Sequence, residues 1–283
     1  MIITTHVSFL GGGNMARALI QGLLRQGYAA SQLRVGEPVE SQRLLLQQEL
    51  GISVSADNQA AIGDAEVVVL AVKPQQLMAV LTELRPTLLQ RRPLLLSIAA
   101  GVRSADLAAC APGLPIVRAM PNRPALVGAG VAALFATIGV AASARAMAEN
   151  IMTASGRTVW VSREADLDIV TALSGSGPAY FFLLAEHLAA AAVAQGLDVS
   201  TAQFLAAQTL RGAGALAAGT HTMAEEREAV TSKGGTTAAA LASFEQGGFG
   251  RLVADAMAAA TRRSAELAAQ FAHTCAHTKI GSR

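Results

Sequence analysis

Phe9-Leu10-Gly11-Gly12-Gly13-Asn14-Met15-Ala16 is the stretch that decides the fold we expect for this chain. It begins within a strand candidate, Val7–Leu10, and leads into a segment with helical periodicity, Met15–Arg25. In a βαβ unit Gly11 permits the tight turn, Gly13 lets the backbone approach a pyrophosphate, and the final alanine lets the helix pack close to the strand. Free N–H groups at the helix N-terminus then bind the phosphates. The stretch therefore predicts a dinucleotide-binding site.

Short apolar runs alternate with helical patterns through residues 1–163. Val67–Val72 is apolar throughout, as expected for a central strand covered by helices on both faces, and Leu94–Ile98 is another central strand. Repeated strand–helix–strand order predicts an α/β, Rossmann-like domain with a parallel-rich sheet and right-handed crossovers. The remaining expected strands are Val7–Leu10, Leu33–Gly36, Ile52–Val54, Ile116–Ala119, Val131–Phe135 and Arg157–Val161, and the expected helices are Met15–Arg25, Ser41–Leu50 and Gln75–Leu84.

Residues 164–283 predict a second, all-helical domain. Its helices are rich in alanine, and Ala189–Val193 has almost no polar face. A helix that is apolar all round has to be buried on all sides, so we expect an obligate oligomer with interlocked helices. The expected helices are Ala179–Gln195, Thr201–Ala218, Ala224–Val230, Thr237–Phe244 and Phe249–His273.

Composition and charge exclude several classes of function. A net charge of +2, with scattered arginines, is not that of a nucleic-acid binder. The two cysteines, Cys110 and Cys275, form neither a metal-binding spacing nor a disulfide framework. The uncharged stretch 124–144 contains Pro124 and several glycines, and we interpret it as a loop, a strand and a helix start rather than a membrane span. With no signal-peptide pattern in Met1–Leu10, we expect a cytoplasmic protein without metal, nucleic-acid or membrane partners.

Glu37 lies about twenty residues past the glycine-rich turn, at the end of the second expected strand. An acidic residue there can accept a hydrogen bond from the adenosine ribose 2′-OH, which favours NADH and repels a 2′-phosphate. Arg34, Ser41 and Arg43 are near enough in sequence to hold that phosphate instead. An ordinary exposed loop glutamate is an equal alternative, so the choice between NADPH and NADH stays open.

Four further features lie where ligands bind in such folds. Lys73 follows a strand in a chain with only three lysines, and Asn122 follows another strand; a solvated lysine and a turn-forming asparagine are the alternatives. Two segments of the second domain are rich in small polar residues, Ser174–Pro178 and Thr231–Thr237. N–H groups of Gly234–Thr237 at a helix start suit a carboxylate, although helix capping by threonine is the simpler alternative.

Six motifs in this order resemble pyrroline-5-carboxylate reductases over nearly the whole chain. They are FLGGGNMA (9–16), AVKPQ (71–75), LSIAAGV (96–102), RAMPNRPALVGAG (118–130), LSGSGPAY (173–180) and VTSKGGTTAAAL (230–241). The resemblance implies hydride transfer from NADPH or NADH to the C=N carbon of 1-pyrroline-5-carboxylate, giving L-proline in the final step of proline biosynthesis. It also implies a C-terminal domain (164–283) that dimerises and binds substrate, an intertwined homodimer, which some members assemble into a decamer, and a site shared between subunits.

The resemblance also implies roles for individual residues. Thr237 matches the threonine whose hydroxyl hydrogen-bonds the ring nitrogen, and Ser232, Gly235 and Thr236 match the carboxylate-binding loop. Lys233 stands where the family usually has proline, which leaves the rigidity of this loop open. The implied cofactor contacts are Leu10, Gly11, Gly12, Gly13, Asn14, Met15, Asn58, Ala71, Val72, Lys73, Pro74, Ile98, Ala99 and Ala100, to which we add Glu37.

Two other functions are alternatives. β-Hydroxyacid dehydrogenases share the plan of a Rossmann domain followed by helices, but need a lysine on an early helix of the second domain, and the helix after Ser174–Pro178 has none. A non-enzymatic NAD(P)-binding protein would keep the turn at Gly11–Ala16 but would not need the loop at Gly234–Thr237. No acid–base constellation is recognisable in the sequence, which suits an imine because its protonated form already accepts hydride.

Overall fold

The computed structural model describes residues 5–278, and side-chain burial as far as residue 272. The described residues form two compact units. The first comprises the chain up to Gly175 together with the residues from Ala260 onward, and the second comprises Ser176–Ala259. The predicted division between residues 163 and 164 stays a prediction.

The first unit is built on an eight-stranded sheet in the order β3-β2-β1-β4-β5-β6-β7-β8. Every neighbouring pair is parallel except β6 and β7. The strand order reverses direction between β1 and β4, which is the switch point of a Rossmann-like sheet. The predicted parallel-rich α/β class is therefore confirmed. The strands are β1 (Val7–Leu10), β2 (Leu33–Gly36), β3 (Ser53–Ser55), β4 (Val67–Leu70), β5 (Leu94–Ser97), β6 (Ile116–Met120), β7 (Gly130–Ala136) and β8 (Gly156–Trp160).

Helices cover both faces of this sheet. Val7 and Phe9 of β1 belong to one apolar cluster, with side chains of α1, α2 and α6, whereas Leu10 belongs to a second cluster with α3, α4 and α5. Alternate residues of one strand thus face opposite helical layers, which explains why the central strands are largely apolar. The helices of this unit are α1 (Asn14–Arg25), α2 (Glu40–Leu50), α3 (Asn58–Ile62), α4 (Pro74–Arg91), α5 (Ser104–Cys110), α6 (Ala142–Thr153) and α7 (Asp166–Val170).

The antiparallel direction of β7 relative to β6 follows from the length of the connection between them. The segment between Met120 and Gly130 is too short for the crossover of a dozen or more residues that a parallel pair needs. The chain makes a 3-10 turn at Arg123–Val127 and returns beside β6, with Met120 opposite Ala133. The sequence correctly predicted the strand here, but not its direction.

α4 is longer than expected. The sequence indicated Gln75–Leu84, whereas the helix spans Pro74–Arg91 and contains Pro86. Leu77, Leu81, Leu84 and Leu88 are buried and continue one apolar stripe across the proline. The burial of this stripe therefore outweighs the backbone hydrogen bond that Pro86 cannot donate.

The second unit is helical, as predicted. α8 and α9 pack on each other, and Ala189 and Ala202 are among their few buried residues. Between Tyr180 and Leu188, by contrast, α8 leaves six large apolar side chains exposed. By length and composition alone, the segment Asp166–Ala194 could cross a membrane, and only 11% of its most apolar window is buried. The helices are α8 (Gly177–Ala194), α9 (Val199–Ala217), α10 (Met223–Ala229), α11 (Thr236–Gln246) and α12 (Phe249–Thr278), whose residues from Ala260 on belong to the first unit.

Replacing Ser8 by alanine tests the packing of the central strand. Ser8 is fully buried on β1, and its hydroxyl has no hydrogen-bond partner within the described residues. Because Ser8→Ala removes an unsatisfied polar group, we expect the free energy of unfolding to rise by about 1 kcal/mol. Urea denaturation followed by the fluorescence of Trp160, the single tryptophan, measures this change.

Ser97→Ala on β5 is the matched control. Ser97 is equally buried, but its hydroxyl accepts a hydrogen bond from the Ala99 N–H at 3.4 Å. Here the substitution should lower stability by about 1 kcal/mol, because it leaves a buried N–H unpaired. Equal changes in the two variants would contradict the assignment of Ser8 as the unsatisfied residue.

Candidate active site

The carboxyl ends of β1, β4 and β5 lie side by side. Leu10 is in register with Leu70, and Leu70 with Ser97. The residues that follow stay together, since the Ala71 N–H donates to the Leu10 carbonyl at 2.9 Å and the Ile98 N–H to the Leu70 carbonyl at 3.2 Å. The structure therefore brings three predicted cofactor segments to one edge of the sheet, where ligands of such sheets bind. They are Leu10–Met15, Ala71–Pro74 and Ile98–Ala100.

Gly11 makes the closest backbone approach at this edge. Its φ is +98°, a conformation that favours glycine, and a Cβ there would lie 2.9 Å from backbone atoms of Ala71 and Val72. Its N–H donates to the Gly36 carbonyl at 2.8 Å. Gly11 thus joins the turn to both neighbouring strands, β2 and β4, and no other residue type fits without moving them.

Gly13 and the start of α1 form an open cradle. Gly13 is exposed, and no protein atom lies within 4 Å of the position that a Cβ would take. It is the N-cap of α1, and no side chain caps the first-turn N–H groups. A Cβ would occupy the space in front of these N–H groups, so the cradle fits a pyrophosphate.

Two predicted contacts lie beside this turn. The carboxylate of Glu37 accepts hydrogen bonds from the Gly12 N–H at 2.9 Å and from the Val39 N–H at 3.0 Å. The side-chain oxygen of Asn58, the first residue of α3, occupies the space that a Cβ at Gly36 would need. The missing side chain of Gly36 therefore allows Asn58 to lie across the end of β2, next to Glu37.

The structure places Lys73 and Asn122 differently. Lys73 is exposed and immediately precedes α4. Asn122 is buried; its side-chain oxygen accepts from the Val131 N–H at 2.9 Å, and its amide nitrogen donates to the Ser174 carbonyl at 3.1 Å. Both ends of the Asn122 amide thus bind backbone, which favours the structural alternative for this residue.

The first of the two small-polar segments begins as helix rather than loop. Thr171–Gly175 forms a π-helical turn directly after α7. Thr171 and Ser174 each donate their hydroxyl to the carbonyl four residues earlier, at 2.7 and 3.0 Å. These hydroxyls are therefore used within the helix, a local bonding pattern that the composition alone did not reveal.

In the second unit, the loop before α11 holds the predicted substrate residues. Gly234 has a φ of +72°, and the Gly235 N–H donates to the Ser232 carbonyl at 3.0 Å. Ser232 Oγ occupies the space that a Cβ at Gly235 would fill. Gly235 is the N-cap of α11, and neither threonine acts as a side-chain cap. The capping alternative for Thr236 and Thr237 is therefore wrong, and Ser232, Gly235, Thr236 and Thr237 surround N–H groups that suit an anion.

The sequence did not predict a hydrogen-bonded network of charged residues around Glu164. Arg118 on β6 donates to Glu164 at 2.7 Å, and Glu164 also accepts from the Ser104 N–H and hydroxyl. Burial raises the pKa of Glu164, but the hydrogen bonds from Ser104 and Arg118 outweigh it and hold this pKa below its usual value. Burial lowers the pKa of Arg118, with Glu164 opposing the shift.

A second ion pair lies next to this one. Arg103 pairs with Asp168 at 2.5 Å, and Asp168 also accepts from the Ser264 hydroxyl of α12 at 2.8 Å. The signal in the sequence is Arg118 itself, because an arginine inside an apolar strand needs a buried anionic partner. Which acid supplies that partner cannot be read from the sequence. Within the described residues, no group of three or more His, Cys, Asp or Glu could hold a metal ion.

Comparison with known proteins matches both parts of the chain. Residues 164–267 match the family model "Pyrroline-5-carboxylate reductase dimerisation", and residues 6–101 match "NADP oxidoreductase coenzyme F420-dependent". A pyrroline-5-carboxylate reductase of Pseudomonas aeruginosa is 45% identical over 95% of this chain and 98% of its own length.

Solved structures give the same result. A pyrroline-5-carboxylate reductase of Coxiella burnetii superposes with a TM-score of 0.90 at 39% identity, covering 94% of this chain and 99% of that one. The Plasmodium falciparum pyrroline carboxylate reductase, a structure with NADP bound, has a TM-score of 0.80 at 28% identity, covering 95% and 100%. The likeness therefore extends over both units.

Glu164→Gln tests the buried ion pair. Arg118 is 7% exposed and Glu164 21%, so the variant leaves a buried guanidinium without its anion. We expect the free energy of unfolding at neutral pH to fall by about 3 kcal/mol. The control, Asp166→Asn, breaks the more exposed pair with Arg163 and should cost less than about 1 kcal/mol.

The pH dependence of stability gives the second measurement. Because the pKa of Glu164 is lower in the folded than in the unfolded protein, its contribution is full above the unfolded pKa and is lost as pH falls through the folded one. Between about pH 5 and pH 3, wild-type stability should therefore decline more steeply than that of Glu164→Gln. Parallel curves for the two proteins would refute the pKa shift.

Proposed function

The chain belongs to the pyrroline-5-carboxylate reductase family, and we infer that it reduces 1-pyrroline-5-carboxylate to L-proline with NAD(P)H as hydride donor. The observation that carries this conclusion is the 45% identity over 95% of the chain and 98% of the Pseudomonas relative. This activity makes the chain an NAD(P)-dependent oxidoreductase of proline biosynthesis. It also excludes the two alternatives, a β-hydroxyacid dehydrogenase and a non-enzymatic binding protein.

Residues 1–163 form the proposed cofactor domain. The open N–H groups at Gly13 and the start of α1 would hold the pyrophosphate, and Glu37 and Asn58 would lie beside the adenosine ribose. Ala71–Pro74 and Ile98–Ala100 would line the rest of the cofactor, along the ends of β4 and β5. When bound, NAD(P)H supplies the hydride from C4 of its nicotinamide ring.

Residues 164–283 form the proposed substrate-binding and dimerisation domain. The carboxylate of the substrate would accept hydrogen bonds from Ser232 and from N–H groups of Gly235 and Thr236, at the positive end of α11. This carboxylate-binding site needs no lysine or arginine, although Lys233 is exposed next to it. We propose that the complete site is shared between the subunits of the dimer.

Thr237 is the proposed catalytic residue. It is half-buried in the first turn of α11, one residue beyond the carboxylate loop. In the protonated imine its hydroxyl would accept the hydrogen bond of the ring N–H and so fix the orientation of the C=N bond. The iminium carbon takes up the hydride, and nitrogen keeps the proton, so the reaction needs no further acid or base from the protein.

The exposed apolar surface of α8 supports an oligomer. The side chains of Phe181, Phe182 and Leu183 are each more than half exposed, a surface that a soluble monomer rarely presents. The dimerisation family model covers this helix. We propose a homodimer with α8 in its interface as the basic assembly, a decamer as the higher assembly of such dimers, and a cytoplasmic location.

Purified protein with 1-pyrroline-5-carboxylate and either cofactor tests the activity, through loss of the near-ultraviolet absorbance of NAD(P)H. Thr237→Ala should lower kcat by roughly tenfold to thousandfold, because a positioned hydrogen bond to the reacting group is lost. Thr237→Ser should recover much of the rate. The control is Thr231→Ala in the same loop, whose hydroxyl is bonded to the Arg227 carbonyl and should matter little. An unchanged rate in Thr237→Ala would remove this residue from the mechanism.

Phe181→Asp tests the interface. A charge on the exposed face of α8 should dissociate the oligomer, because desolvating an unpaired carboxylate is costly. Light scattering coupled to size-exclusion chromatography measures the mass. Ile138→Asp, on the first unit and fully exposed, is the control and should leave the mass unchanged. A wild-type protein that is a stable, active monomer would contradict the proposal.

A further inference from the structure

The segment of the cofactor domain between β2 and α2 is where the choice between NADH and NADPH is made in folds of this kind. We propose that the protein binds NADH in preference to NADPH, and that Glu37 is the residue that determines this preference. The proposal rests on the proposed function only in taking NAD(P)H as the ligand of the turn at Gly11–Met15.

Glu37 is held in a fixed position by the backbone. One carboxylate oxygen accepts from the Gly12 N–H at 2.9 Å, and the other accepts from the Val39 N–H at 3.0 Å. The side chain is half-buried and bridges the glycine-rich turn and the segment that leads into α2. A carboxylate fixed there has lone pairs left for the 2′-OH of an adenosine ribose, whereas a 2′-phosphate would meet it as a like charge.

The nearby arginines are engaged elsewhere. Arg43 on α2 donates to the carbonyls of Glu37 and Pro38, at 2.9 and 2.7 Å. Arg34 on β2 pairs with Asp64 at 2.6 Å, in the loop that precedes β4 and hence at the opposite edge of the sheet. Arg17 on α1 pairs with Glu49. A 2′-phosphate would have to break an ion pair to obtain Arg17 or Arg34. Arg43 is held through its Nη1 against the Glu37 carbonyl, so a phosphate that reached this guanidinium would also approach the Glu37 carboxylate.

The first turn of α2 does not form a phosphate-binding site either. It begins with Glu40, an exposed second carboxylate, and the N–H of its N-cap residue, Val39, already donates to Glu37. Glu37, Glu40 and Arg43 together carry one net negative charge. Helix N-termini attract phosphate, but here the acidic side chains and the engaged N–H oppose that attraction.

Binding titrations with NADH and NADPH, without the pyrroline substrate, test this preference through the fluorescence of the reduced nicotinamide. Wild-type protein should bind NADH about tenfold more tightly than NADPH. Glu37→Ala should remove most of this difference, by weakening NADH and strengthening NADPH. Glu37→Gln, which keeps the size and an acceptor oxygen but loses the charge, should mainly strengthen NADPH.

Two control variants separate the position of Glu37 from net charge. Glu40→Ala removes a carboxylate three residues away and should leave the ratio of the two affinities within about threefold of the wild-type ratio. Arg43→Ala should not weaken NADPH selectively, because this guanidinium binds backbone carbonyls.

Three results would overturn the proposal: wild-type protein that binds NADPH as tightly as NADH, an unchanged ratio in Glu37→Ala, or a selective loss of NADPH binding in Arg43→Ala. The titration is independent of the reaction, so it also distinguishes the two hypotheses. Protein that reduces the pyrroline but binds NADPH as tightly as NADH would contradict only the preference. Protein that prefers NADH in binding but reduces no pyrroline would contradict only the proposed function.

Discussion

The close contact between Gly11 and the backbone of Ala71 is the constraint on which the cofactor domain depends. A Cβ at residue 11 would lie 2.9 Å from backbone atoms of Ala71, so only glycine fits there, and this close approach determines where α1 can begin. The same turn bonds to Gly36 of β2, so the ends of three neighbouring strands are fixed relative to one another. The open N–H groups at Gly13 belong to this turn, and the carboxylate of Glu37 is bound to its Gly12 N–H. A dinucleotide site thus results from a local steric requirement of the β1–α1 connection.

The second unit follows a different rule. Its helices are rich in alanine and leave large apolar side chains exposed on α8, so their stability depends on a surface outside the unit as described. The proposed substrate loop lies in this unit, and its geometry depends on small residues rather than on charge. Gly234 and Gly235 bring N–H groups and the Ser232 hydroxyl together without a cationic side chain. The proposed site would bind a carboxylate and leave the imine to be reduced by hydride alone, which agrees with the absence of a recognisable acid–base set in the sequence.

Much of the fold could be predicted from the sequence, because it is encoded locally. The glycine-rich turn, the apolar central strands and the helical second half all follow from patterns within a few residues of each other. The direction of β7 depends on the short return from Met120, and the extension of α4 past Pro86 depends on burial of Leu88; both are properties of packing. The contact of Glu37 with Gly12 joins residues 25 apart in the chain, and the partner of Arg118 lies 46 residues away. The sequence shows that such partners are needed, but not which residues supply them.

The central claim is that hydride is transferred to the imine carbon of 1-pyrroline-5-carboxylate. The most direct measurement uses NADH deuterated at C4 of the nicotinamide, on the face from which the enzyme takes hydride, and analyses the proline formed by mass spectrometry and NMR. Our account predicts L-proline with a single deuterium on the ring carbon that belonged to the C=N bond. Proline without deuterium from both C4 epimers of the cofactor, or no proline at all, would contradict it.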